Sequence, residues 1–236
     1  MDRSIFVALS GLSAGLERLA RTTNNLANMD TSGFRRQRPV FRVVESSPLA
    51  TRAFVAATRP NIESTPGVVE RTGRSLDIAL EGEGFFVLKT PRGLRYTRQG
   101  DLKIDKEGRL ATQGGDLVLG EDGPLRPGSP DFSIDRSGKV SSGGVSLGRL
   151  RIVRFEDASH LGYEAGVYRA SRGASPLPVR TSETAVLQGF LEGSNVSPVR
   201  EMAVMMDNLR AYQTQVKMVQ TLDEMTRKAI EEVGRV

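Results

Sequence analysis

Arg35, Arg36, Arg38 and Arg42 fall within eight residues and form the first group in the chain whose types and spacing could do chemistry. Guanidinium groups at this density can neutralise consecutive phosphates of a nucleic acid. Single-strand recognition also needs aromatic platforms interleaved with the charges, and Phe41 is the single aromatic residue between them. A second candidate set is the carboxylates Asp105, Glu107, Asp116, Glu121 and Asp122. Two of them could act as acid and base only at a particular spatial separation. Their neighbours, Glu107-Gly108 and Asp122-Gly123, place them in turns instead. Gly82-Glu83-Gly84 is a glycine-rich turn of the type that cradles phosphate, but no lysine pattern follows. It opens onto Phe85-Phe86, a strand, where nucleotide fingerprints open onto a helix.

The composition removes much of the remaining chemistry. There is no cysteine and a single histidine, His160, so no thiolate nucleophile, disulfide, cysteine metal site or histidine pair can form within one chain. No cofactor is expected. The net charge of +5 is local: residues 1–74 hold 11 basic against 6 acidic side chains, and the rest of the chain is balanced. No stretch approaches the roughly 18 consecutive apolar residues of a membrane helix. The start of the chain interrupts its apolar residues with Ser, Gly, Glu and Arg, so no cleaved secretory signal is expected.

The elements that must position these groups are legible from periodicity. Ile5, Leu9, Leu12, Leu16, Leu19 and Leu26 alternate steps of four and three, with Thr23 completing the stripe. This predicts a helix over about 2–28 with a heptad seam. Gly11 and Gly15 weaken it, each by about 1 kcal/mol relative to alanine, or allow a neighbouring backbone to come close. A second stripe runs through Met202, Met205, Leu209, Tyr212, Val216, Val219 and Leu222, and on through Met225, Ala229 and Val233. Ser197 as N-cap and Pro198 as first helical residue fix its start. Neither helix can bury its stripe alone, so the two are expected to pair as a coiled coil. The five methionines of the second helix suit either ordinary core filling or a surface that meets several neighbours.

Between the helices the period changes to two. Short apolar runs at Phe85-Leu88, Leu94-Thr97, Leu102-Ile104, Leu117-Leu119, Phe132-Ile134 and Leu150-Val153 are separated by turn pairs such as Ser137-Gly138 and Gly143-Gly144. The expected fold is α+β. Residues 1–34 form the first helix and its turn, 35–75 an extended connector, 76–192 an inserted all-β domain, and 193–236 the second helix. The connector holds Pro39, Pro48, Pro60 and Pro66, and permits one short strand around Phe41, Val43 and Val44.

Three stretches carry a resemblance. Residues 24–34 read NNLANMDTSGF, in which Asn24, Asn25 and Asn28 lead to a turn made by Thr31, Gly33 and Phe34. Residues 72–88 read TGRSLDIALEGEGFFVL and 96–102 read YTRQGDL, containing Gly73, Leu76, Asp77, Gly82, Gly84, Phe85, Phe86, Tyr96, Thr97 and Arg98. Residues 191–202 read LEGSNVSPVREM, with Ser194, Asn195, Val196 and Pro198 ahead of the last helix. In this order they resemble the axial proteins of the bacterial flagellum, in particular basal-body rod proteins of the proximal-rod FlgF type. The distal-rod paralogue shares all three motifs but carries a longer insertion near 41–70.

The resemblance implies a non-enzymatic structural subunit. It implies export through the flagellar type III apparatus, then polymerisation with itself and other rod proteins into a torque-transmitting shaft that crosses the periplasm. Neither nucleic acid nor a small-molecule substrate is implied as a partner. On this reading the leucine and methionine stripes are assembly surfaces. Asn24 and Asn28, four apart on one helical face, either cap the last turn or offer their amides to a neighbouring subunit. A basic nucleic-acid-binding protein is the competing reading from another class, resting on the four arginines.

Overall fold

The computed structural model describes residues 3–45, 53–57, 61–157, 160–164, 166–171, 173–180 and 183–233, with side chains described over these ranges except 3–6, 43–45, 53–57, 229 and 232–233. It is α+β: a helix at each end encloses a chain that is mostly strand. Two compact units result. One comprises Met1–Ala27, Gln37–Pro60 and Ser197–Val236, the other Asn28–Arg36 and Asn61–Val196.

In the first unit, α1 (Arg3–Ala27) packs against α2 (Pro198–Val233) and against a hairpin of the strands Phe41–Glu45 and Ala53–Ala57, in register from Phe41 opposite Ala57 to Glu45 opposite Ala53. At 1.5 Å rise per residue the helices are about 37 and 54 Å long. Pro198 takes the first position of α2, where its missing N–H costs no intrahelical bond. The Arg18 guanidinium lies 4.8 Å from the centre of the Phe41 ring, joining helix to hairpin by a cation–π contact.

The second unit is built on an antiparallel sheet. Its strands run Leu161–Glu164, Val167–Ala170, Gly93–Thr97, Phe85–Thr90, Leu117–Gly120, Leu110–Thr112 and Leu102–Ile104, with Ile152–Arg154 also paired to Phe85–Thr90. Phe85–Thr90 shows why the run FFVL is apolar on both faces. Phe86 and Leu88 enter a core with Ile78, Leu102, Leu110 and Val186, while Phe85 and Val87 enter another with Tyr96, Leu161 and Tyr168. Alternation of side chains across the pleat places one strand in two cores.

The strand Val69–Arg71, inside the stretch expected to be a connector, pairs with Phe190–Glu192, and Ile62 is buried in the second core. Further strands at Ile78–Gly82 and Thr184–Gln188 pair with each other. They carry little alternation in sequence, which is why periodicity does not reveal them.

Two segments thirty residues apart repeat a turn. Ile104-Asp105-Lys106-Glu107-Gly108-Arg109-Leu110 matches Ile134-Asp135-Arg136-Ser137-Gly138-Lys139-Val140. In each, one aspartate oxygen accepts two backbone N–H groups, from Glu107 and Arg109 at 2.9 and 2.8 Å and from Ser137 and Lys139 at 2.8 and 3.0 Å. In each, the glycine has a positive φ, 76° and 83°. The carboxylates at Asp105 and Asp135 are therefore turn-forming groups.

Candidate functional site

The three sequence motifs meet in the second unit around one carboxylate. Glu192 is almost wholly buried, and its Oε1 lies 2.5 Å from Arg35 Nη2 and accepts the Gly67 N–H at 3.1 Å. Its Oε2 lies 3.3 Å from Arg98 Nη1. Arg35 also donates to the carbonyls of Ser64 and Thr65, and Arg98 to those of Leu80 and Gly82. Burial lowers the pKa of Arg35, an effect that Glu192 opposes. Burial also pulls Arg98 down to about 10, with Glu192 raising it and Arg35 lowering it further. At about 10 the Arg98 guanidinium stays charged near neutrality, and a buried charge needs such a partner.

The turn of the first motif is fitted to the same place. The Gly33 N–H donates to the Glu192 carbonyl at 2.7 Å, and Gly33 adopts φ 64°. Its Cα faces the Arg98 backbone so closely that a Cβ would sit 2.3 Å from the Arg98 carbonyl carbon. Phe34 is buried and meets Tyr163 edge-on at 5.0 Å, while the Tyr163 hydroxyl donates to Asn28 Oδ1. Thr31 donates to Asn28 Oδ1 as well. The Arg35 N–H donates to the buried Tyr168 hydroxyl, whose pKa burial drives upward.

Asn195 closes the arrangement. Its Oδ1 accepts the Arg36 N–H at 2.6 Å, and its amide donates to the Thr65 carbonyl at 2.8 Å. Ser194 accepts the Val196 N–H, and Val196 is buried. Thr97 and Tyr96 are buried beside Arg98, and Leu76 packs against the first core. Asp77 is buried 3.8 Å from Arg74, and its carbonyl accepts the Gly189 N–H. Gly73, Gly82 and Gly84 take positive φ, the last two in the turn between Ile78–Gly82 and Phe85–Thr90.

In the first unit the contact between α1 and α2 uses small and polar residues. Gly11 and Gly15 lie under Gln215 and Tyr212, Thr22 accepts from Asn208 at 3.1 Å, and Asn25 donates to Glu201 at 3.2 Å. Asn25 also brackets Gln37, accepting its N–H at 2.9 Å and donating to its carbonyl at 3.0 Å. On α2 the inward positions Glu201, Asn208, Tyr212, Gln215, Val219 and Leu222 keep heptad spacing.

The apolar stripes sit partly elsewhere. Leu12, Leu19, Leu26, Met205 and Val216 are half-buried, but Leu9 is 47% and Leu16 48% exposed. Met202 and Leu209 are exposed too, and the side chain of Ile5 lies outside the described residues. Leu12, Leu16 and Leu26 are each one residue, about 100° of helix, away from Gly11, Gly15 and Asn25, which meet α2. Asn24 is half-buried on α1. Glu192, Glu201, Gln37 and Tyr168 escaped the sequence reading. The only available signal was that Glu192 and Glu201 lie inside the third motif, each one residue from its end.

The arginine group reads differently once placed. Arg35 is buried against Glu192, and Arg36 lies 3.5 Å from Glu63, so neither is presented to a phosphate backbone. A cavity of about 340 Å³ beside the cluster is lined by Arg35, Arg98 and Arg154 and equally by Glu63, Glu83 and Glu156. Its walls offer no single sign of charge. Among the described residues no group of three or more His, Cys, Asp or Glu could hold a metal ion, and no helix is long and apolar enough to cross a membrane.

Comparison with known proteins matches the same three regions. Residues 5–35 match the family model for flagella basal body rod proteins, 79–142 that for the D1 domain of flagellar hook protein FlgE/F/G, and 187–232 that for the C-terminal part of flagellar basal body rod FlgEFG proteins. The flagellar basal-body rod protein FlgF of Caulobacter vibrioides is 32% identical, with both chains covered in full. The chain belongs to the flagellar basal-body rod protein family. FlgF of Salmonella typhimurium is 34% identical over 97% of each chain. The rod protein FlgG of Buchnera aphidicola from Schizaphis graminum is 30% identical over 97% of this chain and 98% of its own. The rod protein described here is of FlgF type, a structural subunit of the flagellar basal body and not an enzyme. Its assembly partners include other rod proteins, and the buried Glu192 cluster belongs to its framework.

Proposed function

We propose that this subunit lies in the proximal rod and polymerises through its terminal helices, paired as a coiled coil, into the shaft that carries torque across the periplasm. Export through the flagellar type III apparatus without a cleaved signal is part of the same proposal. The supporting observation is the division of labour on the helices. On α1 the small and polar residues Gly11, Gly15, Thr22 and Asn25 meet α2, whose inward face also carries Tyr212, Val219 and Leu222, and Leu9, Leu16, Met202 and Leu209 stay exposed. A subunit that spent its leucines on its own second helix would have little left for neighbours. Repeated head-to-tail contacts that do not close produce a helical assembly. On this reading Ile5, Leu9, Leu12, Leu16, Leu19 and Leu26 meet the stripe Met202, Met205, Leu209, Tyr212, Val216, Val219 and Leu222 across subunits as much as within one. Residues 1–34 with 193–236 would then form the shaft wall.

The test replaces Leu9 and Leu16 by glutamine in the full chain. The variant should unfold at the same denaturant concentration as the parent, fail to enter the rod and leave cells non-motile. Normal motility in that strain sinks the proposal. Deleting the last 30 residues should likewise abolish incorporation and leave the β unit folded.

A further inference from the structure

Five of the seven methionines lie on α2, at Met202, Met205, Met206, Met218 and Met225. Core filling would bury them, but Met202, Met206, Met218 and Met225 are 49, 54, 57 and 63% exposed. Met205 alone is half-buried. Met202 and Met206 are one turn apart, and Val199 and Leu209, both exposed, fall on the same side of the helix. Met218 and Met225, seven apart, share a second side. The helix therefore presents exposed thioethers, those of Met202 and Met206 within apolar surface.

We infer that these four methionines form an oxidation site through which peroxide controls whether the free subunit can assemble. The inference rests on the assembly role proposed above. In the reaction the thioether Sδ attacks one oxygen of hydrogen peroxide, the O–O bond breaks, an S=O bond forms, and water leaves once protons are redistributed. Sulfur is oxidised by two electrons and peroxide is reduced by the same two. The product replaces a flexible apolar group with a polar, chiral one. A sulfoxide on the Met202 and Met206 patch leaves a polar oxygen facing the apolar surface that a neighbouring subunit brings, where it finds no donor. The free chain is the sensitive form because association covers the sulfurs. Half-buried Met205 reacts more slowly than the other four. Leucine has nearly the same volume and cannot be oxidised, so it separates packing from redox chemistry.

The experiment treats the purified full chain with hydrogen peroxide and locates sulfoxide by peptide mass spectrometry. Incorporation into basal bodies isolated from a strain lacking this subunit is then measured. Sulfoxide should form at Met202, Met206, Met218 and Met225 before Met205, and incorporation should fall at least tenfold. Both sulfoxide reductases, one for each epimer, should restore it. The fourfold variant Met202→Leu, Met206→Leu, Met218→Leu, Met225→Leu should incorporate equally with and without peroxide. Full incorporation of chain oxidised at these sites overturns the inference, as does equal loss by the leucine variant. If the untreated parent fails to incorporate, the assembly reading itself has failed, and that arm is read before peroxide is added.

Discussion

The Glu192 carboxylate lies 2.5 Å from Arg35, with 1% and 3% of the two side chains exposed, although 157 positions separate them in sequence. Arg98 reaches the same carboxylate from a third region. One anion thus compensates two buried cations. Removing it is much worse than removing a surface partner, because both guanidiniums stay buried without the carboxylate they share. Glu192→Gln keeps the volume and an acceptor but deletes the charge. It should destabilise the β unit by about 3–5 kcal/mol, the usual cost of breaking a buried pair from one side. Urea unfolding followed by tyrosine fluorescence measures it, and a shift below 1 kcal/mol would mean the cluster is not holding the β unit together.

Gly33 and Gly73 separate two causes of glycine dependence. Both have positive φ, 64° and 74°. A Cβ on Gly33 would clash with the Arg98 backbone, whereas one on Gly73 meets nothing within 4 Å. Gly73→Ala should therefore cost about 1–2 kcal/mol, from the left-handed backbone alone. Gly33→Ala should cost more than twice as much, because the turn must move off Arg98. Thermal unfolding of the two variants decides it, and equal losses would rule out the close approach.

What could be read in the sequence and what could not follow the same physical line. The strand expected at Phe85–Leu88, which runs Phe85–Thr90, and the helix start at Pro198 were legible because burial on two faces and helix capping each leave a local pattern. Leu102–Ile104 emerged with its expected bounds. Ile78–Gly82 did not, since its pairing with Thr184–Gln188 spans about a hundred residues and has no local signature. The leucine stripe identified the helix but not the face used within the chain, because Gly15, Thr22 and Asn25 carry no hydrophobic signal. Arg35 was grouped with the arginines that could meet phosphates because its partner Glu192 is far away in sequence. The repeated aspartate turns were present in the letters, and only comparison of Ile104–Leu110 with Ile134–Val140 exposes them.

Those turns predict an acid response. The Arg109 backbone N–H first, and its side chain and the Glu107 N–H after it, hold the Asp105 carboxyl below the ordinary aspartate range. The Ser137 hydroxyl, followed by the Lys139 and Ser137 N–H groups, does the same for Asp135. With folded pKa values below unfolded ones, the unfolded chain binds more protons between the two. The stabilisation is complete above the ordinary aspartate value and disappears as pH falls through the depressed ones. Carbon-detected NMR titration should give midpoints for both residues below that of a peptide aspartate. Asp105→Asn should flatten the acid limb of stability against pH, and an unchanged limb would refute the assignment.

Asn25 and Leu16 make opposite predictions for the helix pair. Asn25 is buried and its amide is fully engaged, with the N–H and carbonyl of Gln37 and with Glu201. Asn25→Leu would lengthen the apolar stripe and, on hydrophobicity alone, should stabilise α1. The physical cost runs the other way, because the Gln37 N–H loses its acceptor in a buried setting, and such an orphan costs about 1–3 kcal/mol. Leu16 is nearly half exposed, and Leu16→Gln should change stability of the dilute chain by no more than about 0.5 kcal/mol. Hydrogen exchange at the Gln37 amide reads the first directly, with protection falling at least tenfold in Asn25→Leu and unchanged in Leu16→Gln. If Leu16→Gln were the more damaging of the two in dilute solution, the leucines and not the polar seam would be holding the helices together.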